Sequence, residues 1–103
     1  MEGKKKNHSN LQKAVALRYR PAQDSAPVIT AVGRGWLAER IIALARENRI
    51  PVIEDRSLAE ILSGLRPGEA IPVELYEAVA AIYAFIMEVD RRQGQEISRL
   101  KVK

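Results

Sequence analysis

The chain of 103 residues has no cysteine and a single histidine, His8, close to its N-terminus. Without cysteine it has no disulfide, no thiolate nucleophile and no cysteine-ligated metal. With one unpositioned histidine, neither a Ser/His/Asp nor a Cys/His catalytic set can be assembled. Metal-ligand spacing is absent as well, unless carboxylates alone are used. The sequence therefore predicts a protein that is not an enzyme and that uses no metal and no cofactor.

Long apolar runs and aromatic residues are also scarce. No run approaches the ~20 residues that span a bilayer, and the first ten residues are polar and basic, unlike a secretion signal. Aromatic residues make up 5% of the chain and are too widely spaced for a base-stacking platform. We expect a cytoplasmic protein with one modest core, without a transmembrane segment.

Positive charge is concentrated at the two ends of the chain, although the net charge is +4. Lysine and arginine outnumber the acids in residues 1–20 and 91–103, whereas residues 21–90 are acidic on balance. Domains that bind nucleic acid gather positive charge on the folded face, so these basic ends are interpreted as solvated tails. Nucleic-acid binding through the tails is kept as the alternative function, and salt-dependent affinity would be its signature.

Apolar segments of two different periods alternate along the chain. Segments at 14–19 and 28–32 predict two strands, joined through a turn at 22–25 as an antiparallel hairpin. Residues 36–48 show helical spacing. A third strand at 50–54 follows, so that a strand, a helix and a returning strand form a βαβ unit.

Two further helices are predicted after the third strand. Ser57 and Glu60 have the spacing of a capping box, and Gly64 suits the end of that helix. The longest helix is predicted to begin at Ile71–Pro72, where proline needs no N–H partner. The chain becomes polar again at residues 93–95, where we expect the ordered fold to end.

Together these elements predict an α/β fold. We expect a small mixed sheet of three or four strands flanked by three or four helices. Residues 1–12 are predicted to be a flexible basic leader, residues 13–92 the folded domain, and residues 93–103 a basic C-terminal tail.

Two short motifs give weak signals for small-ligand chemistry. The Gly33-Arg34-Gly35 segment precedes a helix, where glycine amides can cradle phosphate. Position 38, however, is alanine instead of the third glycine of a dinucleotide motif, so a tight turn is favoured. Glu54-Asp55 follows a strand, but acids there also serve as charges at a helix N-terminus, and we favour that role. An enzyme that uses both motifs is a third function class and requires a phosphate-bearing ligand at the turn.

Five segments follow one another in an informative order. They are Ala14–Tyr19, Ala26–Val28, Ala38–Ile42, Glu47–Val52 and Ala70–Ala80. Together, over residues 13–90, they resemble the C-terminal cytoplasmic domain of the type III export switch proteins, the FlhB/YscU family of flagella and injectisomes. The resemblance implies a small mixed sheet covered by helices. It also implies a role at the cytoplasmic side of an export gate, where the domain helps to choose which substrates pass.

The family's autocleavage motif is absent from this chain. In the family, an Asn-Pro-Thr-His loop precedes the Ala-Val-Ala-Leu strand, and the chain cuts itself there by cyclisation of the asparagine. The matching positions here are Ser9, Asn10, Leu11 and Gln12. Asn10 is out of register and is followed by leucine, and the family's strand before the loop has no counterpart. The resemblance therefore implies a stand-alone, cleavage-deficient paralogue.

The resemblance also points to a substrate-binding patch. By position, the family's docking surface corresponds to Ala26, Pro27, Ala80 and Tyr83, and ordinary packing of these residues is the alternative. Tyr76 lies seven residues before Tyr83, on nearly the same helix face, and tyrosine suits a binding groove. The implied partners are export substrates, the cytoplasmic domain of the export gate, or both, with peripheral association at the gate. Whether a flagellum or an injectisome is served stays open, and a flagellar system is the favoured interpretation.

Overall fold

The computed structural model describes residues 12–91 and 99–103, which form a four-stranded mixed sheet and three α-helices. The strands are β1 (Lys13–Arg18), β2 (Val28–Arg34), β3 (Val52–Ile53) and β4 (Arg99–Val102). The helices are α1 (Trp36–Glu47), α2 (Arg56–Leu62) and α3 (Tyr76–Arg91), and a 3₁₀ turn, Val73–Leu75, precedes α3. The predicted fold class is confirmed.

The strand order of the sheet is β2-β1-β4-β3. β1 is antiparallel to both β2 and β4, and β3 is parallel to β4. The predicted β1–β2 hairpin is confirmed, and Thr30 is an extra residue in β2 because Ala16 pairs with Ala31 and Leu17 with Ile29. It follows that β2 and β3 run in the same direction, as the βαβ pattern predicts, with β1 and β4 between them.

Alternate side chains of the sheet enter two separate hydrophobic clusters. Val15 and Leu17 of β1 belong to a large cluster that α2 and α3 complete. Ala14 belongs to a small cluster that α1 completes on the opposite face. Because successive residues of a strand point to opposite faces, the molecule has three layers, with α1 on one side of the sheet and α2 and α3 on the other.

The predicted C-terminal boundary is wrong, because Arg99–Val102 forms β4 inside the sheet. Leu100 and Val102 have no exposed surface and belong to the large cluster. The four residues alternate between charged and apolar, as a strand with one buried face does. Their two positive charges, however, are also typical of a solvated tail, which the sequence therefore predicts. The predicted leader falls on residues 1–11, outside the described part, and on Gln12.

The cap of α2 differs from the predicted capping box. Asp55 is the N-cap residue, and its carboxylate accepts a hydrogen bond from the Leu58 N–H at 3.1 Å. Ser57 lies inside the first turn, so the capping box is wrong and the capping role of the Glu54-Asp55 pair is confirmed for Asp55. Glu60 is paired with Lys13 of β1 instead, Oε2 to Nζ at 2.5 Å.

The end of α1 contains a residue in a conformation that favours glycine. The Ile50 N–H donates to the Ala45 carbonyl at 2.8 Å, which closes the last turn as in a Schellman motif. Arg49, just before it, has a φ of 57°. A side chain at this left-handed position is strained, so α1 ends with a small local cost.

Candidate functional site

The start of β2 is hydrogen bonded to the segment that leads into α3. Residues 68–71 run alongside residues 27–29 and satisfy part of the outer edge of β2. This pairing fixes the corner at Pro27 relative to the last helix. The contacts are Ile71 N–H to the Pro27 carbonyl at 3.0 Å, Ile29 N–H to the Glu69 carbonyl at 2.8 Å, Gly68 N–H to the Ile29 carbonyl at 2.7 Å, and a bridge between Val28 and Ala70.

Two of the four predicted patch residues are interior. Ala26 and Tyr83 are each 4% exposed and belong to the large cluster. The Tyr83 ring lies against the ring of Tyr19, with centroids 6.0 Å apart and planes inclined by 59°. Burial, with a smaller contribution from the charge of Asp24, raises the pKa of Tyr83 well above its usual range. The Tyr83 ring therefore packs as part of the core.

The other two predicted residues are accessible. Pro27 is half-buried and Ala80 is exposed. On α3, Ala80 precedes Tyr83 by three residues and follows Tyr76 by four, so these three residues share one flank of the helix. Tyr76 is 42% exposed, and the signal for it in the sequence is its seven-residue spacing from Tyr83.

We call Ala26, Pro27, Tyr76, Ala80 and Tyr83 the Pro27–Ala80 patch. Ala26 and Tyr83 are its buried members, which we call the floor, and both belong to the large cluster, while the other three supply the accessible positions. The structure therefore brings the predicted residues together only in part. Chemically, the patch offers apolar contact and a tyrosine hydroxyl.

Asp24 organises the charged turn that precedes this corner. Its carboxylate accepts the Arg20 backbone N–H at 2.9 Å and lies 3.5 Å from the Arg20 Nε. The Arg18 Nε lies 3.8 Å from the same oxygen. One acid thus lies between two arginines at this turn.

The positions that match the family's cleavage loop are mostly outside the described residues. Ser9, Asn10 and Leu11 fall there. Gln12 is half-buried, and its carbonyl accepts the Gly35 N–H at 2.8 Å. Gln12 therefore joins the start of β1 to the turn between β2 and α1.

The two glycines of the Gly33-Arg34-Gly35 segment have structural roles. A Cβ at Gly33 would lie 2.8 Å from the Ile41 Cδ1 and 2.9 Å from the Leu37 Cγ, so glycine permits α1 to approach the sheet. Gly35 has a φ of 55° at the start of α1, and its N–H is bonded to Gln12. The tight-turn interpretation fits this geometry, because the Gly35 amide is not free to hold a phosphate.

The described part of the chain has neither a metal-binding cluster nor a membrane-spanning helix. Within residues 12–91 and 99–103, no group of three or more His, Asp or Glu side chains could hold a metal ion. In the same ranges, no helix has the length and the apolar character needed to cross a bilayer.

Residues 11–86 match the FlhB HrpN YscU SpaS family. The chain belongs to this family. The match includes every residue of the Pro27–Ala80 patch, together with β1, β2 and β3, and it ends before β4. The resemblance to the FlhB/YscU family that the sequence suggests is therefore confirmed.

The proteins that this chain resembles differ in length. The uncharacterized protein YlqH of Bacillus subtilis (strain 168) is 41% identical over 85 residues, which cover 82% of this chain and 91% of that protein. The flagellar biosynthetic protein FlhB of Aquifex aeolicus (strain VF5) is 40% identical over 75 residues, covering 72% of this chain. This chain spans only 21% of that protein, and 24% of the Helicobacter pylori FlhB.

Solved structures from the family have the same fold. The C-terminal domain of PscU is 29% identical with a TM-score of 0.69, and the match covers 73% of this chain and 96% of that one. The R313T C-terminal domain of EscU/SpaS is 31% identical with a TM-score of 0.72, covering 75% and 96%. The described fold is therefore that of the FlhB/YscU C-terminal domains.

Proposed function

We propose that this chain is a non-catalytic, protein-binding domain of a type III export apparatus of the flagellar kind, acting on the cytoplasmic side. The observation that carries the proposal is the Pro27–Ala80 patch, which lies wholly inside the family match. Relatives that match the chain are named flagellar biosynthetic proteins and a secretion system apparatus protein. The partners are export substrates, the cytoplasmic domain of the export gate, or both.

The patch suits a short peptide that binds and leaves quickly. Its floor is buried and the corner at Pro27 is hydrogen bonded to Ile71, so little ordering is needed on binding. Small apolar patches of this kind give modest affinity, with pockets that select side chains. Such exchange is appropriate for a component that samples many substrates.

Binding to purified partners tests the proposal. The wild-type chain should bind the gate cytoplasmic domain or at least one early or late export substrate in a titration. Ala80→Glu should weaken that binding by about tenfold, because a carboxylate would be desolvated against an apolar partner. Ala81→Glu is the matched control, since Ala81 is also exposed on α3 but points about 100° away.

Two outcomes would contradict this proposal. Failure of the wild-type chain to bind any of these proteins would remove the export role. Equal loss of binding in Ala80→Glu and Ala81→Glu would remove the patch while leaving the role in place. Circular dichroism of both variants should match the wild type, because neither substitution changes a buried residue.

The absence of self-cleavage is a separate part of the proposal. Ser9 to Gln12 lack the asparagine–proline pair at which the family's reaction occurs. After prolonged incubation at neutral pH, mass spectrometry should show one intact species of 11.5 kDa. A defined cut between residues 9 and 13 would contradict this expectation.

A domain that keeps the patch should compete with the corresponding domain of a full-length family member. Adding the wild-type chain should displace a labelled C-terminal domain of FlhB from its partner. Ala80→Glu should displace it about tenfold less effectively, because the same surface is altered. No displacement by the wild-type chain at saturating concentration would show that the two use different surfaces.

A further inference from the structure

The centre of the sheet is occupied by a strand from outside the family match. The match ends at residue 86, whereas β4 begins at Arg99. β4 nevertheless lies between β1 and β3 and pairs with both. The matched segment alone thus leaves a gap in its sheet, one strand wide, which we call the β1–β3 slot.

Backbone groups line both sides of the β1–β3 slot. On the β3 side, the Lys101 N–H donates to the Pro51 carbonyl at 3.0 Å and the Lys103 N–H to the Ile53 carbonyl at 2.9 Å. On the β1 side, β4 pairs from Arg18 to Val15. With adjacent strands about 4.8 Å apart, an empty slot would leave two strand edges unpaired. Some strand must therefore fill it.

The slot selects its occupant mainly through two positions. Leu100 and Val102 are fully buried against the cluster under α2 and α3. Main-chain hydrogen bonds to a strand edge accept any sequence, while pockets for alternate side chains provide the selection. The minimum requirement is therefore an extended segment with apolar residues two positions apart.

On the opposite face, β4 fits its neighbours poorly. Arg99 is the direct cross-strand partner of Arg18, and like charges in this position destabilise a pair. Lys101 lies on the same face and is half-buried, and burial followed by the charge of Arg99 lowers its pKa. In residues 12–91 and 99–103, neither Arg99 nor Lys101 forms an ion pair with a carboxylate.

The surroundings of Arg18 show the same excess of positive charge. Its Nε is buried without a hydrogen-bond partner, and its nearest acid, Asp24, is shared with Arg20. An acidic side chain in place of Arg99 would lie directly opposite Arg18 and could pair with it. The slot thus favours a strand with a different charge from the one that it contains.

We propose that the β1–β3 slot is a strand-binding site, filled in this chain by β4 and able to accept a strand of another protein. The preferred occupant has apolar residues at the Leu100 and Val102 positions and an acidic residue opposite Arg18. As part of the same chain, β4 has an effective concentration of about millimolar, so only a better-matched strand displaces it. This proposal does not depend on the export role or on the Pro27–Ala80 patch.

Peptides that span residues 98–103 test this site in the full-length chain. The recipient is the Leu100→Asp variant, whose own β4 is weakened by a carboxylate in the core. We expect the native peptide to bind this variant and an Arg99→Glu peptide to bind it about fivefold tighter. A Leu100→Asp peptide should not bind, and the wild-type chain should bind the native and Arg99→Glu peptides more weakly than the variant does. Fluorescence anisotropy of labelled peptides measures each affinity.

A second measurement applies if the Leu100→Asp variant does not fold. The native peptide should then restore its circular dichroism and its thermal transition, and the Leu100→Asp peptide should not. Absence of both binding and restoration would overturn the strand-binding site. Binding of the Arg99→Glu peptide no tighter than that of the native peptide would overturn the acidic preference.

The charge mismatch can also be tested without peptides. Arg99→Glu in the full-length chain should raise the thermal midpoint, because it replaces a like-charge pair by an opposite-charge pair. Arg40→Glu, on the exposed side of α1, is the control and should not raise it. An equal change in both variants would overturn the role assigned to Arg18.

Discussion

The two faces of the sheet are filled in different ways. Large side chains fill the space under α2 and α3, where Leu17, Ile29 and Leu62 are fully buried. Under α1 the residues of β1 and β2 are small, Ala14 and Ala31, and they share a cluster with Ala38 and the isoleucines of α1. The face under α2 and α3 is stabilised by large buried side chains, and the face under α1 by the close approach of the helix to the sheet. Removing side-chain volume should therefore destabilise the first face most, and adding volume should destabilise the second.

The largest effect is expected from removing volume under α2 and α3. Leu17→Ala should lower the free energy of unfolding by about 3 kcal/mol, because the transfer energy of the lost atoms and the cost of a cavity add together. Urea denaturation measures the change. Leu44→Ala on α1, where leucine is 40% exposed, should change stability by less than about 0.5 kcal/mol. Similar losses of stability in Leu17→Ala and Leu44→Ala would contradict the importance of side-chain volume under α2 and α3.

A smaller effect is expected from adding volume under α1. Gly33→Ala should lower the free energy of unfolding by about 2 kcal/mol, since the new methyl group would lie 2.8 Å from the Ile41 Cδ1. Gly64→Ala is the control, because a Cβ there has only the Ile61 carbonyl within reach, at 3.4 Å. Thermal denaturation of both variants makes the comparison. A stable Gly33→Ala variant would show that α1 can move away at little cost.

A gain of stability is expected at the end of α1. Arg49→Gly should raise the free energy of unfolding by about 0.5 kcal/mol, because glycine adopts a φ of 57° without strain, although it also adds entropy to the unfolded chain. Calorimetry of the two proteins measures the difference. Arg49→Ala should show no such gain, since alanine keeps the Cβ that causes the strain.

The smallest effect is expected from the ion pair between Lys13 of β1 and Glu60 of α2, and it depends on pH. The Lys13 ammonium lowers the pKa of Glu60, through its hydrogen bond and then its charge, with a minor contribution from Arg34. A lowered folded-state pKa means that the stabilisation is present above the unfolded value of about 4.3 and is lost as the pH falls through the folded value. The stability difference between wild type and Glu60→Gln should therefore be present at pH 7 and vanish at low pH.

A double-mutant cycle with Lys13→Gln isolates this ion pair from other effects of the substitutions. Because Glu60 is on the surface, the coupling should be small and should weaken further with added salt. A coupling that grows as the pH falls would contradict the assigned direction of the pKa shift.

Much of the fold could be predicted from local patterns. The run at 14–19 and the β-branched run at 28–32 predict β1 and β2, and the spacing at 36–48 predicts α1, each within one or two residues of the structure. These elements carry their period in their own sequence. The cap of α2 is harder to predict, because Asp55 and Ser57 both offer a capping oxygen. Only the geometry of the first helical turn decides between them.

Features that depend on distant residues could not be predicted in this way. β4 has four residues, two of them charged, and its burial becomes visible only when β1 and β3 are placed on either side of it. The positions of the Pro27–Ala80 patch came from the family resemblance, whereas the burial of Ala26 and Tyr83 depends on how α3 packs. Their separation into floor and accessible positions needed the structure.

The position of β4 also affects the order in which the molecule can fold. Its pairing with β1 joins Val15 to Val102, so the sheet closes only after a long loop has been ordered, which slows folding. At about 5–20 residues per second, a ribosome takes several seconds to reach β4 after β1 has been made. During that interval the edge of β1, and later also that of β3, has no partner, and this is when the nascent chain is most exposed to aggregation and to capture by chaperones.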